Sequence, residues 1–95
     1  MKITVNQLIE KTLELPKYFK SGNERFYMIL DEKTLLYVKD FSKDDEHLEI
    51  YPLIEQGKIS YYADFWAKYG IEAITEQEFK DAFIRVSLRL EEKMN

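Results

Sequence analysis

The sequence predicts a small two-layer α+β domain over residues 1–95: an N-terminal helix, a three-stranded antiparallel meander, a short helix and a long C-terminal helix. Three observations carry that order. A Thr-x-x-Gln/Glu capping pattern stands near each end of the chain, at Thr4–Gln7 and Thr75–Glu78. Between them lie segments rich in β-formers that are separated by short polar connections. A nine-residue stretch, Tyr61 to Tyr69, holds five aromatic residues at helical spacing. Strands flanked by helices are expected to form an antiparallel sheet with helices packed on it.

At the N-terminus, Thr4 is the expected N-cap, with Gln7 at the third helical position and Ile3 and Leu8 as the hydrophobic staple. Val5, Leu8, Ile9 and Leu13 follow at helical intervals. Pro16 is expected to end this helix at about Leu15, because the residue before proline avoids the α region. Pro16 is then placed to open one further turn through Lys17, Tyr18 and Phe19, and Ser21-Gly22-Asn23 reads as a turn.

The first strand is expected over residues 24–30, with Phe26, Met28 and Leu30 on one face and Arg25, Tyr27 and Ile29 on the other. The polar Asp31-Glu32-Lys33 link returns the chain into a second strand over 34–41. There Leu36 and Val38 share one face, and Leu35, Tyr37 and Phe41 share the opposite one. The third strand is expected over 48–54 and at a sheet edge, since Pro52 has no N–H to give to a ladder. Gln56-Gly57-Lys58 reads as a turn. Ile59-Ser60-Tyr61-Tyr62 fits a continuation of the sheet, but the favoured reading is a short helix capped by Ser60, with Tyr62, Phe65, Trp66 and Tyr69 on its inner face and Gly70 at its end. In the last helix Thr75 and Glu78 form a capping box and Ile74 and Phe79 a staple. Phe79, Ala82, Phe83, Val86 and Leu90 make its core stripe, with Ile84 and Leu88 on a second apolar line.

Composition narrows the function classes. Ninety-five residues leave room for one core, and an apolar content of 45% argues against disorder. The absence of cysteine excludes disulfides, thiolate zinc sites and thiol nucleophiles. The start, Met1 to Gln7, is too polar for a secretion signal. The longest unbroken apolar run, Phe26 to Leu30, is far short of a membrane span. A cytoplasmic protein with no membrane association is the expectation.

Charge is unevenly spread. Residues 1–39 carry a net +2, residues 40–78 a net −7 and residues 79–95 a net +1. An acidic central block repels phosphate and attracts basic partners. Lys80, Arg85, Arg89 and Lys93 fall on the polar side of the last helix at roughly one-turn spacing, but the chain is acidic overall, so direct nucleic-acid binding is not expected.

Motifs for catalysis are missing. The single histidine, His47, lies among Asp44, Asp45, Glu46 and Glu49 without the ligand spacing of a calcium loop. None of Ser21, Ser42, Ser60 and Ser87 sits in a glycine-flanked nucleophile turn. Gly22, Gly57 and Gly70 are too far apart for a phosphate loop. No enzyme, cofactor or metal is expected.

The expected function is a non-enzymatic, acidic protein-binding module. Its specific form is an inhibitor that blocks a basic nucleic-acid-handling protein, of the kind found among phage or mobile-element accessory proteins and immunity proteins. The expected partner surface comprises Asp44, Asp45, Glu46, Glu49, Tyr61, Asp64 and Trp66, aromatic anchors within a charged rim. The alternative is a structural or regulatory homodimer joined through Ile84 and Leu88. A small metal-dependent enzyme built on carboxylates and His47 is the third reading.

Overall fold

The computed structural model describes residues 1–5, 11–40 and 53–94. It is an α+β fold whose centre is a five-stranded antiparallel sheet. In chain order the elements are β1 (Lys2–Val5), β2 (Lys11–Glu14), β3 (Tyr18–Ser21), β4 (Arg25–Ile29), β5 (Thr34–Lys39), β6 (Leu53–Lys58), α1 (Ile59–Tyr69), β7 (Glu72–Ala73) and α2 (Glu76–Met94). The sheet runs β6-β5-β4-β3-β7, and β1 and β2 pair separately as a two-stranded ribbon.

The N-terminal helix is not formed. Lys2–Val5 and Lys11–Glu14 are antiparallel strands with Ile3 opposite Leu13 and Val5 opposite Lys11. The same residues carry a second pattern of period two: Ile3 and Val5, then Leu13 and Leu15, stand on one face of the ribbon. Val5, Leu13 and Leu15 are buried. The β-branched residues Ile3, Thr4, Val5 and Thr12 favour the extended choice. Leu15 before Pro16 directly follows β2, and the proline restriction suits the end of a strand as readily as the end of a helix. Tyr18 and Phe19 belong to β3 rather than to a further helical turn.

The expected strands at 24–30 and 34–41 are present as β4 and β5, in register through Tyr27↔Tyr37 and Phe26↔Val38. Their link is tight because the Asp31 carboxylate accepts the backbone N–H groups of Lys33 and Thr34, at 2.8 and 2.9 Å. The third strand continues past its expected end at residue 54. β6 starts at Leu53 and runs through Gln56, Gly57 and Lys58, the residues read as a turn, and it does occupy a sheet edge. Gly57 serves packing there: a Cβ at this position would lie 2.8 Å from Cε2 of Tyr62. Residues 48–52, including Pro52, lie outside the described residues.

Both faces of the sheet are covered, giving three layers instead of two. Phe19, Tyr27, Leu35 and Tyr37 pack against Ile59 and Trp66 of α1 and against Val5, Leu13 and Leu15 of the ribbon. Phe26 and Val38, one residue out of phase, pack against Phe79, Ala82 and Val86 of α2, with Ile74 and Leu90 at the margin. The alternation of side chains along β4 and β5 thus feeds two separate cores.

α2 starts as its sequence indicates, with the Glu78 N–H donated to the Thr75 hydroxyl at 3.0 Å. Ile84 and Leu88 are 54% and 55% exposed, and Phe83, expected in the core stripe, is also on the surface. Arg85 and Arg89 both reach Asp40 at the end of β5, at 3.0 and 3.4 Å, and Lys80 pairs with Glu76 at 3.0 Å. Those three cations of the polar side are therefore paired within the fold. No helix among the described residues is long and apolar enough to cross a membrane.

Candidate functional site on the first helix

The aromatic segment Tyr61–Tyr69 forms most of α1, and its inner and outer sides differ sharply. On the inner side Trp66 is fully buried. Its ring meets Phe19 and Tyr27 edge-on, each at 5.1 Å between centroids. Phe19, Tyr27 and Tyr37 are cross-strand neighbours in one row of the sheet and stack in succession at 5.1 and 5.0 Å. Edge-to-face and offset-stacked rings add to the burial energy of each partner. Tyr62 completes the cluster, lying over Gly57 and donating its hydroxyl to Oε1 of Glu55 at 2.7 Å.

These phenols are held protonated. Burial pushes Tyr27 up to about 12, against a smaller opposing effect of the Trp66 indole. Burial also raises Tyr37. Tyr62 is raised first by desolvation and then by Glu55, which accepts its proton and repels a phenolate. Their role on this side is to pack and to donate hydrogen bonds.

The outer side is different. Tyr61 is 79% exposed and Tyr69 61% exposed, with the half-buried Phe65 between them at intervals of one turn. The Phe65 and Tyr69 rings are 4.6 Å apart, the Arg25 guanidinium lies 4.8 Å over Phe65, and Lys68 lies 5.2 Å from the Tyr69 ring centre. Ser21, Gly22, Arg25, Phe65 and Tyr69 line a cleft of about 420 Å³. The end of the helix is fixed there: Gly70, at φ 82°, donates its N–H to Trp66, and the buried Ser21 hydroxyl donates to the Gly70 carbonyl at 2.7 Å.

Of the residues expected to meet a partner, Tyr61 and Asp64 stand exposed on this helix. Trp66 does not reach the surface; it is the internal anchor of the face. Tyr69, expected on the inner side, is turned to solvent because an eleven-residue helix cannot bury five rings on one flank. Asp44, Asp45, Glu46 and Glu49 lie outside the described residues, as does His47. Acidic and basic side chains are equal in number among the described residues, so the whole net charge of −4 falls outside them. Arg25 was not singled out from the sequence. Its signal was an arginine sharing a strand face with Tyr27 and Ile29, where a cation needs an aromatic or acidic neighbour.

Among the described residues, no group of three or more histidine, aspartate or glutamate side chains is placed to hold a metal ion. Comparison with known proteins yields no matching family model, no matching curated protein and no matching solved structure.

Proposed function

We propose that the chain is a non-enzymatic protein-binding module that presents the outer side of α1 to its partner. The observation that carries this reading is the pair of exposed tyrosines, Tyr61 and Tyr69, flanking Phe65 on a helix whose position is fixed by the buried Trp66. Tyrosine offers a large contact area at small entropic cost, and rigidly held aromatic anchors dominate the energy of protein interfaces. The acidic residues Asp44, Asp45, Glu46 and Glu49 give the partner its expected character, a basic surface. In its specific form the module is an inhibitor that competes with nucleic acid for a basic protein, its carboxylates standing in for phosphates.

The test is capture from host lysate on the immobilised chain, at low and high salt, beside a Tyr61→Ala/Tyr69→Ala variant and a charge reversal at Asp44, Asp45 and Glu46. A basic nucleic-acid-handling protein should be retained at low salt, lost with the tyrosine variant, and held with a flatter salt dependence by the charge reversal. Retention unchanged by both variants would remove this surface as the site.

A second reading is favoured by one observation. Ile84 and Leu88 stand exposed one turn apart on α2, a fitting seam for a homodimer. Sedimentation at high concentration decides it: Leu88→Glu should turn a dimer into a folded monomer, and a native chain that is already monomeric ends the idea.

A further inference from the structure

At the opposite end of α1 from the Arg25–Tyr69 cleft lies a second concavity of about 550 Å³, within the range of small-molecule sites of roughly 300–1,000 Å³. Its floor is apolar, made by Ile3 and Val5 of β1 and Ile59 and Ala63 of α1. Its rim is charged, with Lys33 and Lys58 on one hand and Glu32 and Asp64 on the other. We propose that this groove binds a small amphipathic monoanion, a carboxylate carrying an apolar tail.

The backbone around the groove is pinned. Asp31 accepts the Lys33 and Thr34 amides, an arrangement that holds its carboxyl below the usual range. The Lys33 carbonyl in turn accepts the N–H of Ile59 at 2.8 Å, tying the β4–β5 turn to the start of α1. Lys33 and Lys58 therefore project from fixed positions on either side of that junction. Among the described residues, neither ammonium is within ion-pair distance of a carboxylate. The helix start between them has no side-chain cap and no acidic residue in its first turn, so among the described residues no side chain occupies its free amides.

Charge complementarity sets the class of ligand. Among the described residues, two lysines against two carboxylates give the lining no net charge. A single negative charge is accommodated beside the lysines, whereas a polyphosphate or nucleic-acid strand meets Glu32 and Asp64. The apolar floor then asks for a tail, because a small polar anion leaves Ile3, Val5, Ile59 and Ala63 exposed to water.

The experiment is a titration of the isotopically labelled chain with decanoate, with decanol and with inorganic phosphate, followed by amide and methyl shifts. Decanoate should give saturable shifts confined to Ile3, Val5, Ile59, Ser60 and Ala63. Decanol should bind about tenfold more weakly or worse, the loss expected when one charged contact is removed. A Lys33→Gln/Lys58→Gln variant should lose decanoate affinity by a similar factor while its decanol binding stays unchanged. Shifts scattered over the surface, equal binding of decanol and decanoate, or phosphate binding at the same residues would each overturn the proposal. Because Tyr61 and Tyr69 lie outside the groove, failure here leaves the partner-binding reading untouched.

Discussion

α1 seats a single indole among the rings of Phe19, Tyr27 and Tyr62, whereas α2 lays Phe79, Ala82 and Val86 over Phe26 and Val38 and adds two arginines on Asp40. The two helices cover opposite faces of the same sheet. One is eleven residues long and is seated by two buried side chains, Ile59 at its start and the larger Trp66 near its end; the other is nineteen residues long and spreads its contacts over five turns. A helix as short as α1 has little stability of its own, so nearly all of its placement comes from Trp66 and the ring cluster. That concentration leaves its outer side free to carry Tyr61 and Tyr69, which contribute little to the fold. α2 uses its length for packing and pairs its arginines inward, leaving Phe83, Ile84 and Leu88 as exposed apolar residues.

The difference can be broken most severely at the anchor. Trp66→Ala should cost about 3–5 kcal/mol, enough to unfold much of a domain this size. Val86→Ala, equally buried but one of several contacts under α2, should cost about 2 kcal/mol. Urea unfolding of both variants measures the contrast; equal losses would show that α1 is held more diffusely than its geometry indicates.

A second break is chemical. Tyr27 and Tyr37 lie under α1 and Tyr62 stands on its inner side, and all three are raised above the ordinary tyrosine value. A folded-state pKa above the unfolded one means stability that is complete below pH 10 and falls as pH rises toward the folded value. For Tyr27, raised to about 12, the loss amounts to at most roughly 3 kcal/mol. Stability measured between pH 9 and 12 should therefore decline, and Tyr27→Phe should flatten the decline even if it weakens the protein at neutral pH. An identical slope in that variant would mean that Tyr27 does not carry the effect.

A third, smaller break is at Gly57. Adding a methyl group there pushes on the Tyr62 ring, and Gly57→Ala should cost about 2 kcal/mol. In a Tyr62→Ala background the same change should cost markedly less, because the two positions are in contact. A full, additive cost in both backgrounds would point to the backbone instead of the ring.

Gly57 also shows where the sequence misleads. Gln56-Gly57-Lys58 has turn composition, but its glycine admits the Tyr62 ring, which folds back from the helix onto the strand, a contact that composition alone does not reveal. The ribbon is a similar case. Thr4–Gln7 and Thr75–Glu78 carry the same capping pattern, yet only the second opens a helix. After Thr75 the chain offers nineteen residues without glycine or proline, most of them good helix formers, and one consistent stripe. After Thr4 the helical spacing of Val5, Leu8, Ile9 and Leu13 competes with the alternation of Ile3, Val5, Leu13 and Leu15, and the β-branched residues tip the choice. β4, β5 and α2 were legible because pattern, propensity and punctuation agreed in each, whereas in α1 the helical spacing of its rings competed with an Ile59–Tyr62 run that also suits a strand. Of the proposed partner surface, Tyr61 was legible as the ring left over once the others were placed inward. The cleft at Arg25 was not, since it joins β4 to a helix forty residues away.

The smallest effects concern how each helix begins. Thr75→Ala removes the hydroxyl that accepts the Glu78 amide and should cost about 1 kcal/mol. Ser60→Ala should cost almost nothing, because α1 starts at Lys58 with no side-chain cap and Ser60 is already inside the helix. The informative variant is Lys58→Asp, which supplies the missing cap. On capping alone it should stabilise the protein by about 1 kcal/mol. It should also abolish decanoate binding, by placing a carboxylate where the ligand's own is proposed to sit. Stability gained with binding lost would show that the open helix start is kept at the expense of stability; stability gained with binding intact would move the ligand's head group away from the helix and onto Lys33.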